Sequence, residues 1–115
     1  MPSYVIPWPP STNTLYRAFR GRNILSAKAR KWAIDAGAAL LEQKARPIKG
    51  PVEVEIELAC PTKRKFDPDN RVKAVLDLLV KCYIIEDDDH SILRRFSVSL
   101  GEGFVGARVT VKPTG

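Results

Sequence analysis

The sequence predicts an α+β fold in which two helices pack on a mostly antiparallel or mixed sheet. The chain has 115 residues, a length that fits one domain with a single core. Two segments carry apolar residues at helical spacing, and four shorter segments have the apolar runs or the alternation typical of strands. Taken in order, these segments give β-α-β-α-β-β, which favours helices layered on a sheet. We therefore expect a single domain over residues 1–115.

The first part of the chain predicts a strand, a loop and a helix. Residues 4–8 form a short apolar run, and the prolines at 7, 9 and 10 confine it to a sheet edge or end it, because proline has no backbone donor. The polar segment 11–25 predicts a loop. Ser26 is the predicted N-cap of a helix that extends to about Ala45, where Arg46-Pro47 stops it.

The middle of the chain predicts a strand with two unlike faces. Residues 52–58 alternate four aliphatic side chains with three glutamates, which is the period of a half-buried strand. An evenly spaced row of glutamates is typical of a solvated strand face. We favour that interpretation over a metal site on the strand.

The last part of the chain predicts a helix over 68–83 and two strands over 92–100 and 104–112. The apolar face of the helix carries Val72, Leu76, Leu79 and Tyr83. Gly101, Gly103 and Gly106 between the strands form a GxGxxG pattern. A nucleotide-binding turn of that pattern opens a helix after a strand. Here it precedes another strand, so we predict a hairpin of the last two strands.

The charged residues are segregated along the chain. Residues 1–66 hold 12 Lys and Arg against 5 Asp and Glu, residues 67–90 hold 3 against 7, and residues 91–115 hold 4 against 1. The formal net charge is +6. An acidic segment inside a basic protein indicates a polyanionic partner, together with a carboxylate cluster that has another task, such as holding a cation.

Several classes of protein are disfavoured by the composition. No apolar run reaches the length of about 18 residues that a membrane span needs, and the N-terminus lacks the features of a signal peptide. We therefore expect no membrane association and a cytoplasmic location.

Cys60 and Cys82 are isolated and predicted to be reduced thiols. His90 is the only histidine, which disfavours a Cys/His zinc site and a Ser-His-Asp triad.

The acidic segment allows two interpretations. Asp67 before Pro68 fits a helix N-cap, and Asp69 fits both the helix dipole and an i,i+4 pair with Lys73. Alternatively, Asp67 and Asp69 share a divalent cation such as Mg²⁺ with the run Asp87-Asp88-Asp89. With Lys73 and basic surroundings, that constellation fits phosphodiester hydrolysis. The residues alone leave three classes open: a metal-dependent nuclease, a non-catalytic basic nucleic-acid-binding module, and a structural or interaction domain.

Three motifs follow one another along the chain: Pro9-Pro10-Ser11-Thr12-Asn13-Thr14-Leu15-Tyr16-Arg17, then Asp67-Pro68-Asp69-Asn70 with Lys73 and Asp77-Leu78-Leu79, then Asp87-Asp88-Asp89. Together they resemble the RusA-type Holliday junction resolvases. The similarity covers almost the whole chain. It implies a homodimeric endodeoxyribonuclease that uses Mg²⁺, with Mn²⁺ as a substitute, and cuts four-way DNA junctions by paired symmetric nicks in recombination and repair. It implies no other protein partner.

The resemblance also implies the catalytic residues. Asp67 and Asp69 match two essential acidic positions of the family, and Lys73 matches its essential lysine. Counting from Asp69 without a gap gives Asp88 as the third metal ligand, whereas aligning a DDxxI pattern to Ile92 gives Asp89. We choose Asp88, with Asp87 or Asp89 as alternatives.

Basic and aromatic residues near these motifs are the candidates for DNA contacts. The predicted phosphate contacts are Arg17, Arg20, Arg22, Lys63, Arg64 and Lys65. Phe66, Tyr16 and Phe19 are either core residues or platforms on which exposed bases stack.

Overall fold

A mixed four-stranded sheet and two helices form the body of the protein. The computed structural model describes residues 2–114, without the side chains of Arg17, Phe19 and Asn23. The helices are α1 (Ala27–Glu42) and α2 (Val72–Lys81), and the strands are β1 (Ser3–Ile6), β2 (Tyr16–Phe19), β3 (Arg22–Leu25), β4 (Val52–Ala59), β5 (Leu93–Leu100) and β6 (Gly106–Pro113). Short 3-10 turns cover Thr12–Thr14 and Pro68–Arg71. The predicted α+β class is confirmed.

The sheet has the strand order β1-β6-β4-β5. Strand β6 pairs antiparallel with both β1 and β4, whereas β4 and β5 are parallel. A parallel pair needs a crossover connection, and α2 provides it. The aliphatic face of β4 lies in the core with both helices.

The prediction of a β5–β6 hairpin was wrong. Strand β4 lies between β5 and β6, so the short segment after β5 crosses the end of β4. The Gly101 N–H donates to the Leu58 carbonyl at 2.9 Å, which fixes this crossing. Neighbouring segments in sequence often pair in space, but here the buried, all-aliphatic face of β4 takes the central position between them.

The loop predicted over 11–25 was also wrong, because β2 and β3 form an antiparallel hairpin. Its turn is Arg20-Gly21, with φ of +49° and +75°. Two positive φ values are typical of a type I′ hairpin turn, for which Asn-Gly is the usual signal. Arg-Gly is a much weaker turn signal than Asn-Gly. The polar composition of the segment therefore led to the prediction of a loop.

Helix α1 follows the sequence closely. The Ser26 hydroxyl accepts a hydrogen bond from the Ala29 N–H at 3.1 Å, as predicted for an N-cap. The helix ends at Glu42, three residues before the predicted end, and Lys44 takes a left-handed conformation with φ of +58°. One such residue after a helix is a common terminator.

Helix α2 is buried on more sides than predicted. Its buried residues are Val72, Ala74, Val75, Leu76, Leu78 and Leu79. Ala74, Val75 and Leu78 lie outside the predicted apolar face but are buried as well, and Ala74 and Leu78 line one small cavity together with Leu15, Leu25 and Ala29. Tyr83 was placed on the apolar face, yet it is 80% exposed, because the helix has already ended and its φ is +60°.

Two of the three glutamates of β4 form ion pairs with β6. Arg108 donates to both oxygens of Glu57, at 3.0 and 2.9 Å, and Lys112 Nζ lies 2.6 Å from Glu55. The bond from Arg108 lowers the pKa of Glu57 below its ordinary value. On this face of the sheet, opposite the helices, Glu55 and Glu57 are therefore already paired with cations.

Among the described residues, no helix has the length and apolar content to cross a membrane. Cys60 and Cys82 are free thiols, as predicted.

Candidate active site

The acidic turn, residues 67–70, is held in place by the N-terminal segment. The Thr12 hydroxyl donates to the Asn70 carbonyl at 3.0 Å, and Arg71 Nη1 donates to the Pro9 carbonyl at 2.8 Å. The turn closes with a hydrogen bond from the Asn70 N–H to the Asp67 carbonyl at 3.1 Å. The first and second sequence motifs are therefore parts of one local structure.

Asp67 takes the predicted N-cap position, with Pro68 directly after it, but its side chain makes no capping hydrogen bond. The chain forms a 3-10 turn over Pro68–Arg71, and α2 begins only at Val72. The Asp67 carboxylate is exposed and has the Asn70 amide 3.5 Å away. It is therefore not tied to the helix end and can turn towards a ligand.

Asp69, Lys73 and Asp88 line one open cleft of about 370 Å³, which we call the acidic cleft. Its apolar wall is formed by Val72, Leu76, Phe96 and Val98. Asp67 is not among the residues that line this cleft. Within residues 2–114, no group of three or more His, Cys, Asp or Glu side chains is already gathered closely enough to hold a metal ion. The structure thus brings two of the three predicted acids together with the lysine and leaves Asp67 outside.

The three aspartates of the third motif have different surroundings. Asp87 Oδ1 accepts a hydrogen bond from the Asp88 N–H at 2.7 Å. Asp89 Oδ1 accepts from the N–H of Ser91 at 2.8 Å and also from the Ser91 hydroxyl. The Ser91 hydroxyl bond is the main reason that the pKa of Asp89 lies below its ordinary value. Asp87 and Asp89 bond to the backbone of the turn or to Ser91, and Asp88 is the one of the three that lines the acidic cleft.

Lys73 pairs with Asp77 and not, as predicted, with Asp69. Its Nζ lies 3.4 Å from Asp77 Oδ1, and the Tyr16 hydroxyl donates to the other oxygen at 3.4 Å. The 3-10 geometry around Asp69 removes the i,i+4 alignment that the predicted pair requires. The Asp77 carboxylate raises the pKa of Lys73, against the opposing effect of partial burial.

Asp77 is a residue that the sequence reasoning missed. It belongs to the second sequence motif without an assigned role, although its i,i+4 spacing from Lys73 indicates an ion pair on one helix face. Asp77 orients the lysine, and Tyr16 from the β2–β3 hairpin orients Asp77. The hairpin therefore contributes to the position of a candidate catalytic cation.

The predicted phosphate contacts lie in two places. Arg20 and Arg22 are on the exposed end of the β2–β3 hairpin, and Lys63, Arg64 and Lys65 are in the exposed loop before the acidic turn. The prediction for Arg17 concerns a side chain outside the described residues, as does that for Phe19. Tyr16 is 41% exposed, and Phe66 is half-buried and packs against the core.

Comparison with known proteins identifies the family. The family model described as "Endodeoxyribonuclease RusA" matches residues 7–112. Among curated proteins, the "Crossover junction endodeoxyribonuclease rusA" of Enterobacteria phage 82 is 39% identical over 92 residues, which cover 72% of this chain and 70% of the relative. The protein of the same name from Escherichia coli K12 is 38% identical over 95 residues, covering 75% of this chain and 72% of the relative. This chain belongs to the RusA family of endodeoxyribonucleases.

Proposed function

We propose that this protein is a Mg²⁺-dependent endodeoxyribonuclease that resolves four-way DNA junctions by paired, symmetric nicks, in recombination and repair. The observation that supports this best is the acidic cleft, where Asp69, Lys73 and Asp88 meet in one open space. The relatives that share the family are named for cleavage at crossover junctions. Both point to phosphodiester hydrolysis on branched DNA.

The carboxylates suit a hard divalent cation. Asp67, Asp69 and Asp88 are all exposed, and Mg²⁺ is usually bound by one or two carboxylates while it keeps several waters. Asp69 and Asp88 would hold the ion from the two sides of the cleft, and Asp67 would join them from the same turn as Asp69. Mn²⁺ prefers the same oxygen ligands and would substitute. A bound ion would supply an activated water and polarise a phosphate oxygen.

Lys73 would stabilise the negative charge that develops on the phosphate. Because Asp77 raises its pKa, the ammonium group stays charged at neutral pH. Removing one preorganised donor of this kind costs about 3 kcal/mol in the transition state. If Lys73 only formed a surface pair with Asp77, it would contribute about 0.3 kcal/mol to stability. A variant of Lys73 that loses activity but little stability would therefore indicate the catalytic role.

The basic side chains would bring the DNA to the cleft. The exposed cations of residues 63–65 come just before the acidic turn in sequence. Those of the β2–β3 hairpin lie on a segment that contacts Thr12–Thr14, which itself contacts Pro68–Arg71. Contacts to phosphates give affinity without base specificity and weaken as salt rises. This fits recognition of a branched shape.

A second copy of the chain would complete the enzyme, since two coordinated cuts need two active sites. Strand β5 is at the edge of the sheet, and its Phe96 and Leu100 are 52% and 70% exposed. They lie opposite Val54 and Leu58 of β4, so they belong to the apolar face of the sheet, beyond the part that the helices bury. A two-fold copy packed on this strip would cover Phe96, which is also part of the apolar wall of the acidic cleft, and so would lie at the edge of that cleft. In light scattering, Leu100→Glu should give a monomer where the wild type gives a dimer.

The non-catalytic binding module remains the second candidate. The observation in its favour is that the three predicted acids are not gathered around one point among the described residues. In that case the acidic residues would be structural and the basic surface would bind nucleic acid without cutting it.

One assay separates these functions. A mobile four-way junction is incubated with the wild type, with Asp69→Asn and with the matched control Asp35→Asn, in Mg²⁺ or in EDTA. Asp35 is an exposed acid on α1 that pairs with Lys31. Symmetric nicks by the wild type and the control that disappear with Asp69→Asn or EDTA support the enzyme. Binding without nicks in either Mg²⁺ or Mn²⁺ supports the binding module, and absence of both supports an interaction domain.

A further inference from the structure

A second cleft is lined by the residues that flank the acidic turn, Phe66 and Arg71, and is built mainly from aromatic and basic side chains. It has a volume of about 390 Å³, within the range of sites that bind small planar ligands. Its aromatic residues are Trp8, Trp32 and Phe66, and its basic residues are Lys28, Arg64, Lys65 and Arg71. No acidic residue is among the described residues that line it. We call it the aromatic cleft.

The walls of the aromatic cleft leave room for a planar ring. Trp8 and Phe66 meet edge to face, with centroids 4.8 Å apart and planes at 86°. In such a pair, the ring that presents its edge keeps both faces free of the other ring. Trp32 also lines the cleft, and its position is fixed because its indole N–H donates to the Pro7 carbonyl at 3.0 Å. The aromatic surface is therefore held in place before any ligand arrives.

The charge of the cleft selects an anion. Four cations without an opposing carboxylate attract phosphate and repel basic ligands. The Arg71 guanidinium also lies 5.2 Å from the centre of the Trp8 ring. Its Nε is buried and, among the described side chains, is without a hydrogen-bond partner. Because this atom is buried, a ligand in the cleft would be attracted by the charge of the guanidinium and not bonded by Nε.

The position of the cleft connects it to the acidic turn. Phe66 immediately precedes Asp67 and Arg71 immediately follows Asn70, so the same short turn borders both clefts. A ring bound between aromatic walls and an anion bound by the surrounding cations are the two parts of a nucleotide. In the acidic cleft, by contrast, the groups are those that would act on a phosphate.

We propose that the aromatic cleft binds an unstacked nucleotide of the DNA strand next to the phosphate that is cut, with its base against Trp8 and Phe66 and its phosphate near Arg64 and Lys65. The proposal rests on the proposed function, because it assumes DNA as the substrate. A branch point supplies bases without a stacking partner, so the cleft would favour branched DNA over a regular duplex. Stacking on aromatic residues accepts every base, and the same contact therefore serves on different sequences.

The chain contains its own reporter for this proposal. Trp8 and Trp32 are its two tryptophans, and both line the aromatic cleft. We would titrate the full chain, in EDTA, with a short oligothymidine and with an abasic oligonucleotide of the same number of phosphates. The oligothymidine should quench the tryptophan emission and bind about 5- to 150-fold more tightly than the abasic strand, the range expected for stacking of one base.

Two variants separate base contacts from phosphate contacts. Phe66→Leu keeps an apolar side chain against the core and should abolish most of the preference for the strand with bases. Tyr83→Leu, at an aromatic position far more exposed than Phe66, is the matched control and should keep it. Lys65→Gln should weaken both strands equally and lower the salt dependence by about one phosphate contact. Thermal melts of each variant show whether it is folded.

Equal binding of both strands by a folded wild type, or an unchanged preference in folded Phe66→Leu, would overturn the proposal. Thymidine monophosphate is the third ligand, and binding as tight as that of the oligothymidine would also overturn it, because the cleft would then hold a free nucleotide. The assay uses no metal and scores no cleavage. Failure of the nicking assay with intact base preference would therefore remove the catalytic function and leave standing the binding of an unstacked nucleotide in the aromatic cleft.

Discussion

The molecule has two groups of carboxylates, and they differ in what faces them. On β4, Glu57 lies opposite Arg108 of β6 and Glu55 lies diagonal to Lys112 of the same strand, and both form ion pairs at 2.6 to 3.0 Å. In the acidic cleft, Asp69 and Asp88 are exposed, and the lysine beside them bonds to Asp77 instead. Both groups are acidic in the sequence, but only the second presents carboxylates that an added cation can use. Pairing, more than the number of acids, distinguishes a structural group from a candidate metal site.

The largest expected effect is the loss of nicking when Asp69 becomes Asn. The amide keeps the shape but removes a negative charge from the acidic cleft, so the rate of junction cleavage should fall more than about 100-fold. Glu55→Gln is the same chemical change on β4 and should leave the rate unchanged. A labelled four-way junction under single-turnover conditions measures both. Equal rates for the two variants would contradict the comparison.

A second test compares two Lys–Asp pairs. Lys73→Met should reduce cleavage about 100-fold while junction binding in EDTA is retained, because a preorganised cation at the reacting phosphate is lost. Lys31 on α1 has the same i,i+4 relation to Asp35, at 3.1 Å, but is remote from the acidic cleft in sequence and not among the residues that line it. Lys31→Met should cleave like the wild type. A fall in both would show that the loss is general destabilisation.

The run Asp87-Asp88-Asp89 allows the same comparison, between a bonded and an available carboxylate, within three residues. Asp88→Asn should abolish cleavage without changing the free energy of unfolding. Asp89→Asn should lower the free energy of unfolding, since Asp89 is bonded to Ser91, but the molecules that remain folded should cleave at the wild-type rate. The pKa of Asp89 is lowered in the folded state, so its contribution is present above the pKa of an ordinary Asp and is lost as pH falls through the lower, folded value. Urea unfolding of wild type and Asp89→Asn should therefore differ at neutral pH and converge in strong acid. A difference that grows in acid would contradict the assignment.

The smallest effect should come from the paired group itself. Glu55→Gln removes a partner of Lys112 that is about half exposed, and exposed pairs of this kind contribute at most about 1 kcal/mol to the free energy of unfolding. Urea unfolding at low and high salt measures the loss, which should shrink as salt rises. A loss that does not depend on salt would mean that packing, not charge, holds the two strands there.

The sequence predicts those parts of the fold that depend on local signals. The alternation in β4 and the Ser26 cap of α1 were predicted correctly, because residues close in sequence determine both. The position of β5 beside β4 was not predicted, because it depends on which strands compete for the central place in the sheet. The β2–β3 hairpin was missed for a different reason, since its turn uses Arg20 where Asn or Asp is usual.

The candidate site shows the same division. The gapless spacing from Asp69 selected Asp88, which is the aspartate that lines the acidic cleft. The partner of Lys73 was assigned wrongly, because the sequence does not reveal that a 3-10 turn precedes α2. The hydrogen bond between Tyr16 and Asp77 joins residues that lie 61 positions apart. A local sequence pattern does not predict such a contact.

The ties between the N-terminal segment and the acidic turn also bear on the order of folding. Thr12 and Asn70 are 58 residues apart, and Pro9 and Arg71 are 62 apart, while β1 pairs with β6 near the other end of the chain. Contacts between such distant residues form late, because the chain must first be closed into long loops. A partly folded or still growing chain would lack a fixed acidic turn. We therefore expect the acidic cleft to acquire its geometry only when the fold is complete, so that partly folded forms would not cut DNA.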